Sequence, residues 1–193
     1  MTRAVLLPAA GASSRMRGGD KLLEQVDGVA LLRRSAIRAR GAADAVLVTL
    51  PVASPRRDSL LGLDVTILEI DATEGMAASL RAGADWAKGL GLDALMVALP
   101  DMPDITTDDL CALFDAQAQQ SATPLRATTA DGQAGHPVIL PRAVFAAMHE
   151  LSGDQGARAI LRDHPPRLHP LPGQRALTDL DTPEAWAAWR AQR

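Results

Sequence analysis

The chain contains no tyrosine, only two phenylalanines and three tryptophans among its 193 residues. Its core must therefore be built from Ala, Leu, Val and Ile, and it lacks the aromatic platforms on which single-stranded nucleic acids stack. A net charge of −3 also argues against the basic stripe of a nucleic-acid binder. The single cysteine, Cys111, excludes an internal disulfide and any multi-cysteine zinc or iron–sulfur site. No basic start leads into an apolar export segment, and no run approaches the length of a membrane span. These absences point to a cytoplasmic protein with no membrane and no nucleic-acid partner. Lysine is scarce as well: of 20 basic residues only Lys21 and Lys88 are lysine.

What is present alternates. Short apolar runs at Arg3–Pro8, Ala45–Leu50, Val65–Ile70, Ala94–Leu99 and Val138–Leu140 read as buried strands. Continuous apolar strands are the habit of parallel sheets covered on both faces. Between them, Leu31–Ala39, Met76–Leu90, Thr106–Gln119 and Ala157–Arg162 read as helices. Thr106 and Asp109 have capping-box spacing, and Thr182-Pro183 opens a last helix with Trp186 and Trp189 on one face. Cys111 falls on an apolar helix side and reads as core. The pattern predicts one α/β domain over 1–193, a mostly parallel sheet flanked by helices on both faces. In such sheets ligands bind beyond the carboxyl ends of the strands, so the loops after Leu7, Ile70 and Leu99 are the places to search.

The first loop runs Pro8-Ala9-Ala10-Gly11-Ala12-Ser13-Ser14-Arg15-Met16-Arg17-Gly18-Gly19-Asp20-Lys21. Small residues allow close backbone approach, hydroxyls add donors, and an arginine fork with a lysine point charge suits a triphosphate. Asp101, between Pro100 and Met102-Pro103 after the fourth apolar run, is a carboxylate of the kind that holds Mg²⁺. A turn role is the alternative. Asp179 and Asp181 precede a capped helix, and either could add a ligand; Asp181 is preferred because it lies nearer the cap. Gly75 and Ser79 open a helix whose backbone donors can meet a nucleotide. No G-x-S-x-G elbow occurs, and His136 has no partner at zinc spacing.

The loop resembles the signature of the MobA-like nucleotidyltransferases, roughly A-A-G-x-S-x-R-M-G-x-x-K, most closely the molybdenum cofactor cytidylyltransferase branch. The resemblance continues in order through Gly75-Met-Ala-Ala-Ser79, Leu99-Pro-Asp101-Met-Pro103, Gly135-His136-Pro137, Gly153-Asp154-Gln-Gly156-Ala-Arg158 and Asp179-Leu-Asp181. It implies a Rossmann-like, GT-A-type fold with a nucleotide held by Ala9, Ala10, Gly11, Ser13, Arg15, Lys21, Gly75 and Ser79. It implies Arg15, Lys21 and Asp101 in catalysis, Mg²⁺ on Asp101 and Asp181, and an acceptor near His136, Pro137, Gly153, Asp154 and Gly156. The reaction implied moves CMP from CTP to the terminal phosphate of molybdenum-molybdopterin, whose product serves a molybdenum hydroxylase. In the family, Ala-Ala before the glycine goes with cytidylyl transfer and Gly-Gly with guanylyl transfer. Transfer to a sugar- or polyol-phosphate, or a non-catalytic cofactor-carrying chaperone, are the competing readings. One departure stands out: Arg17 occupies the family's glycine position, and Lys21 lies one residue further on than the pattern expects. Against a net-negative chain, phosphate binding is expected to rest on Arg15, Arg17, Lys21 and a metal.

Overall fold

Side chains alternate across a strand, so a strand apolar at every position needs cover on both faces. The computed structural model, which describes residues 2–193, shows this arrangement. Strand β1 (Ala4–Pro8) is buried throughout. Val5 and Leu7 pack on one side with β4 (Ala45–Pro51), α1 (Leu31–Ala42) and α3 (Thr107–Gln119). Ala4 and Leu6 pack on the other, against α2 (Gly75–Gly89), α4 (Phe145–His149) and α5 (Ala157–Asp163).

The remaining strands are a short hairpin, β2 (Gln25–Val26) and β3 (Val29–Ala30), then β5 (Thr66–Ile70), β6 (Ala94–Val97), β7 (Leu125–Thr128), β8 (Ala134–Pro141) and β9 (Arg167–Pro170). The main sheet has the order β5-β4-β1-β6-β8-β7-β9. Only β8 runs against the others, pairing antiparallel with both β6 and β7. One edge of the sheet therefore gathers the carboxyl ends of six strands and the amino end of β8. The helix α6 (Pro183–Arg190) covers the hairpin side with Trp186 and Trp189, whose rings meet edge-to-face at 6.0 Å.

The expected α/β sheet with helices on both faces is present. The Thr106–Asp109 capping box forms in both directions. Corrections concern the margins. The run at Val65–Ile70 is an edge strand with mostly exposed side chains, not a buried one. Val138–Leu140 is the middle of the longer, antiparallel β8. Cys111 sits half-buried at the rim of the core. Among the described residues no helix is long and apolar enough to cross a membrane.

Beyond β9, the chain returns to lie along the amino end of β8. His136 donates its backbone N–H to the Ala176 carbonyl at 2.8 Å. Gly135 is fixed by this approach, because a Cβ there would overlap the Ala176 carbonyl. Gly135→Ala is therefore expected to destabilise the protein by about 2–4 kcal/mol, as overpacking against a backbone atom does. A urea titration of wild type and variant checks the value.

Candidate active site

The loop after β1 is stapled from the far side by a residue with no signature in the sequence. Arg56, only 4% exposed, lies in a two-turn 3₁₀ helix (Pro55–Leu60) after β4. Its guanidinium donates to the Ala9 carbonyl at 2.6 Å, to Asp20 at 2.7 Å and to Ser13 Oγ at 3.1 Å. Asp20 also accepts from the Ser13 hydroxyl and the Leu22 N–H. With both ends pinned, the middle of the loop bows outward. The N–H groups of Gly11, Ala12 and Ser13 find no acceptor among the described residues, leaving them open to an anion. Ala9 and Ala10 are buried, so only their backbone can face a ligand.

The extra loop residue is absorbed in a left-handed turn, with φ of 52° at Arg17 and 96° at Gly18. The Arg17 side chain turns away to pair with Glu184 at 2.5 Å. Lys21 still reaches the sheet edge. Its ammonium donates to Asp101 at 2.5 Å and also to Asp181, whose other oxygen pairs with Arg15. Burial works to lower the Lys21 pKa, but the charge and hydrogen bonds of Asp101 and Asp181 outweigh it and hold it above its ordinary value. Burial likewise opposes ionisation of Asp181, and Lys21 and Arg15 overcome it, leaving that carboxyl below its usual range. Asp179 is pushed up by partial burial and by the neighbouring Asp181 and Asp101. Of the two candidates near the last helix, the structure places Asp181 in the cluster with Lys21, Arg15 and Asp101. The Leu180 N–H donates to the Asp101 carbonyl, tying the two acidic segments together.

The free cations expected from the sequence are thus paired ones. Lys21 and Arg15 are matched by Asp101 and Asp181, so the paired groups of this centre sum to a formal charge of zero. Asp101 is 8% exposed, and its second oxygen, Oδ1, is buried without a hydrogen-bond partner.

The second half of the edge is built on α2. Gly75 (φ 66°) lets the helix start against the 153–156 turn; a Cβ there would fall 2.5 Å from the Gly153 carbonyl. That carbonyl accepts from the Ala77 N–H at 3.0 Å, so the segments expected to face nucleotide and acceptor are in direct contact. Ser79, expected beside the nucleotide, is 2% exposed with its hydroxyl on Thr49 at 2.9 Å, and it supports the floor. His136 lines an apolar cavity of about 300 Å³ with Met76, Leu80, Val97, Leu99 and Asp154. Burial, then the nearby Arg126, lowers its pKa to about 4, so the imidazole is neutral near pH 7. Pro137 is buried behind it, while Gly153 and Asp154 are exposed and Gly156 is half-buried at the cavity mouth. Removing the Arg56 guanidinium leaves the Ala9 carbonyl and Asp20 without their donor, and since Asp20 keeps 25% exposure to water, Arg56→Met is expected to cost about 1–3 kcal/mol. The loop should loosen with it: hydrogen exchange at residues 9–21 is expected to rise more than exchange in β1.

Comparison with known proteins places this edge. Residues 4–168 match the model of the MobA-like NTP transferase domain. A molybdenum cofactor guanylyltransferase of Rhodopseudomonas palustris (strain BisB5) is 34% identical over 140 residues, 72% of this chain and 65% of that protein. The purine catabolism protein PucB of Bacillus subtilis (strain 168) is 27% identical over 119 residues, 60% of this chain and 56% of its own. The chain therefore spans less than two thirds of the length of either curated relative. Among solved structures, Rv0371c of Mycobacterium tuberculosis H37Rv superposes with a TM-score of 0.80 at 27% identity, covering 97% of this chain and 96% of its own. The family model covers well over half of the chain, and the chain belongs to the MobA-like NTP transferase family.

Proposed function

We propose that this protein transfers CMP from CTP to the terminal phosphate of molybdenum-molybdopterin, releasing pyrophosphate. The observation that carries the reading is the convergence of Lys21 and Arg15 on Asp101 and Asp181 below the open N–H groups of the first loop. A phosphate acceptor is already ionised near neutral pH, so the chemistry needs alignment and charge neutralisation more than a general base. This matches a cluster that pairs with no histidine among the described residues, while His136, neutral near pH 7, sits in the apolar cavity on the other half of the edge.

The charge balance argues for a divalent cation. A centre whose cations are already matched by carboxylates offers a triphosphate no net attraction unless positive charge arrives with it. The donor set fits Mg²⁺: two carboxylates close enough to share one ammonium, with Asp101 Oδ1 buried and unpartnered. Asp101 and Asp181 are the residues that would hold the ion, which when bound supplies neutralisation and orientation of phosphate oxygens. The chain does the rest. Loop N–H groups and Arg15 bind the triphosphate, and Lys21, released from the carboxylates, follows the negative charge onto the leaving pyrophosphate. Arg56 and Asp20 keep the loop's ends fixed while this happens.

CTP is preferred over GTP in this reading because of Ala9-Ala10. In the family Ala-Ala in this place goes with cytidylyl transfer, and here both side chains are buried beneath the loop. The Rhodopseudomonas relative is a guanylyltransferase, so base choice is where this reading departs from it. The product would pass to a molybdenum hydroxylase, with the whole sequence of events in the cytoplasm.

Pyrophosphate release by purified protein with Mg²⁺ and metal-loaded molybdopterin tests both parts. CTP is expected to support turnover at least about tenfold better than GTP, the scale that a tightened pocket delivers. Lys21→Ala and Asp101→Ala are each expected to lose roughly 10²–10³-fold, as preorganised charge does when removed. Turnover with GTP alone sinks the base assignment, and full turnover in both variants sinks the site.

A further inference from the structure

Arginines gather a second time on the α1 and α3 face of the sheet, away from the His136 cavity. A groove of about 510 Å³ lies there between α1, the segment that follows Asp101 and the turn that precedes Asp179. Arg34 and Arg38 of α1 line it together with Arg175 and Arg193. Two carboxylates outside the lining serve three of these four. Asp27 takes Arg34 and Arg193, each at 3.1 Å, and buried Asp109 takes Arg175 at 3.0 Å. Arg38 has no carboxylate partner among the described residues; it donates to the Pro103 and Ile105 carbonyls at 2.6 and 2.7 Å. Asp104, the single acidic side chain of the lining, accepts from the Trp189 indole. Burial, and then the charge of Arg34, lowers the pKa of Arg38 against the pull of Asp104, so these guanidiniums stand close enough to repel.

Each guanidinium is held through one terminal nitrogen, Nη1 in Arg34, Arg38 and Arg175 and Nη2 in Arg193. The other terminal nitrogen meets no acceptor among the described residues. A guanidinium pinned by one arm and open at the other is set for a phosphate oxygen. The turn opposite adds backbone donors. Gly173 is left-handed, with φ of 58°, and neither its N–H nor that of Gln174 finds an acceptor among the described residues. Both residues line the groove. Trp189, the lone aromatic of the lining, is buried and has Arg193 over its ring at 4.5 Å, so a base finds no platform. We propose that this groove is a second anion site, separate from the reaction centre, which takes a chain of two or three phosphates. Its walls flank the acidic pair in sequence: residues 103–106 follow Asp101, and residues 173–178 precede Asp179. An anion that bridges these walls clamps the Leu180–Asp101 backbone bond between them, and so couples filling of the groove to the carboxylates. The site stands whether or not the transfer reading does.

The test is calorimetric titration of the full-length protein with inorganic pyrophosphate, in EDTA so that no metal brings the probe to the reaction centre. Wild type is expected to bind it saturably with a Kd below about 1 mM. Gln174→Glu puts a negative charge at the exposed mouth of the groove. The double variant Arg34→Gln/Arg193→Gln frees only the exposed Asp27 and strands no buried acid. Each is expected to weaken binding at least about tenfold, the worth of a charge-assisted contact. Arg15→Met, in the first loop, is expected to keep the wild-type affinity within about twofold. Hydrogen exchange at Leu180 is expected to slow when pyrophosphate is added to wild type and to stay unchanged in Gln174→Glu. Tripolyphosphate and CTP, compared by the affinity that Gln174→Glu removes, are expected to bind alike, because the groove reads phosphate alone. CTP held about tenfold more tightly makes this a nucleotide site and overturns the assignment. So do the absence of saturable binding, a loss in Arg15→Met with the groove variants unaffected, and exchange at Leu180 that pyrophosphate leaves unchanged.

Discussion

One ammonium group between two carboxylates organises the functional edge of this protein. Lys21 lies near the start of the chain, Asp101 in the middle and Asp181 near the end, and the ion cluster exists only when the sheet has closed. Two carboxylates this near each other repel, and both are largely removed from water. Unbridged, one would take up a proton or move apart. Lys21 prevents either outcome, and Asp181 is held further by Arg15. The sheet topology brings this about: the loops after β1 and β6 emerge at the same edge because those strands are parallel neighbours. The segment before α6 is drawn in by the Leu180–Asp101 backbone bond.

The same constraint explains why the first loop is built as it is. A loop that must present open N–H groups cannot satisfy itself internally, so it is held from outside. Arg56 and Asp20 do this with a part-buried pair that touches both ends, and the middle stays free. The inserted residue at Arg17 is tolerated because it is spent in a left-handed turn outside this frame. Lys21 keeps its place, and Arg17 joins Glu184 on the surface in place of sharing the phosphate role.

Much of this was legible in the sequence where local patterns carry the information. β1, β4 and β6 are continuous apolar runs, α3 announces itself by the Thr106–Asp109 box, and Trp186 and Trp189 share a face by spacing alone. The sequence singled out Asp101 and Asp181, and the structure brings both to Lys21. What was hidden is long-range. The strand β9, with Arg167 and His169 in its four residues, and the two-residue strands of the hairpin are too short or too polar to show a period. Val65–Ile70 looked buried because edge and centre strands share an apolar vocabulary, and neighbour count is not written locally. Arg56 was invisible because its partners lie 36 to 47 residues away. For the same reason Arg15, Arg17 and Lys21 looked like free cations, although each has a carboxylate 80 to 167 residues distant.

Pairing turns the cations of the first loop into a balanced cluster, which under the proposed function would accept a triphosphate only together with additional positive charge. In the proposed reaction, Lys21 of the free protein occupies the place that a divalent ion would take. Manganese binding followed by electron paramagnetic resonance, without nucleotide, tests this most directly. The account predicts that Lys21→Met binds Mn²⁺ about tenfold more tightly than wild type, because an ammonium no longer competes for Asp101 and Asp181, and that adding Asp101→Asn abolishes the gain. An affinity in Lys21→Met equal to or weaker than that of wild type would contradict it.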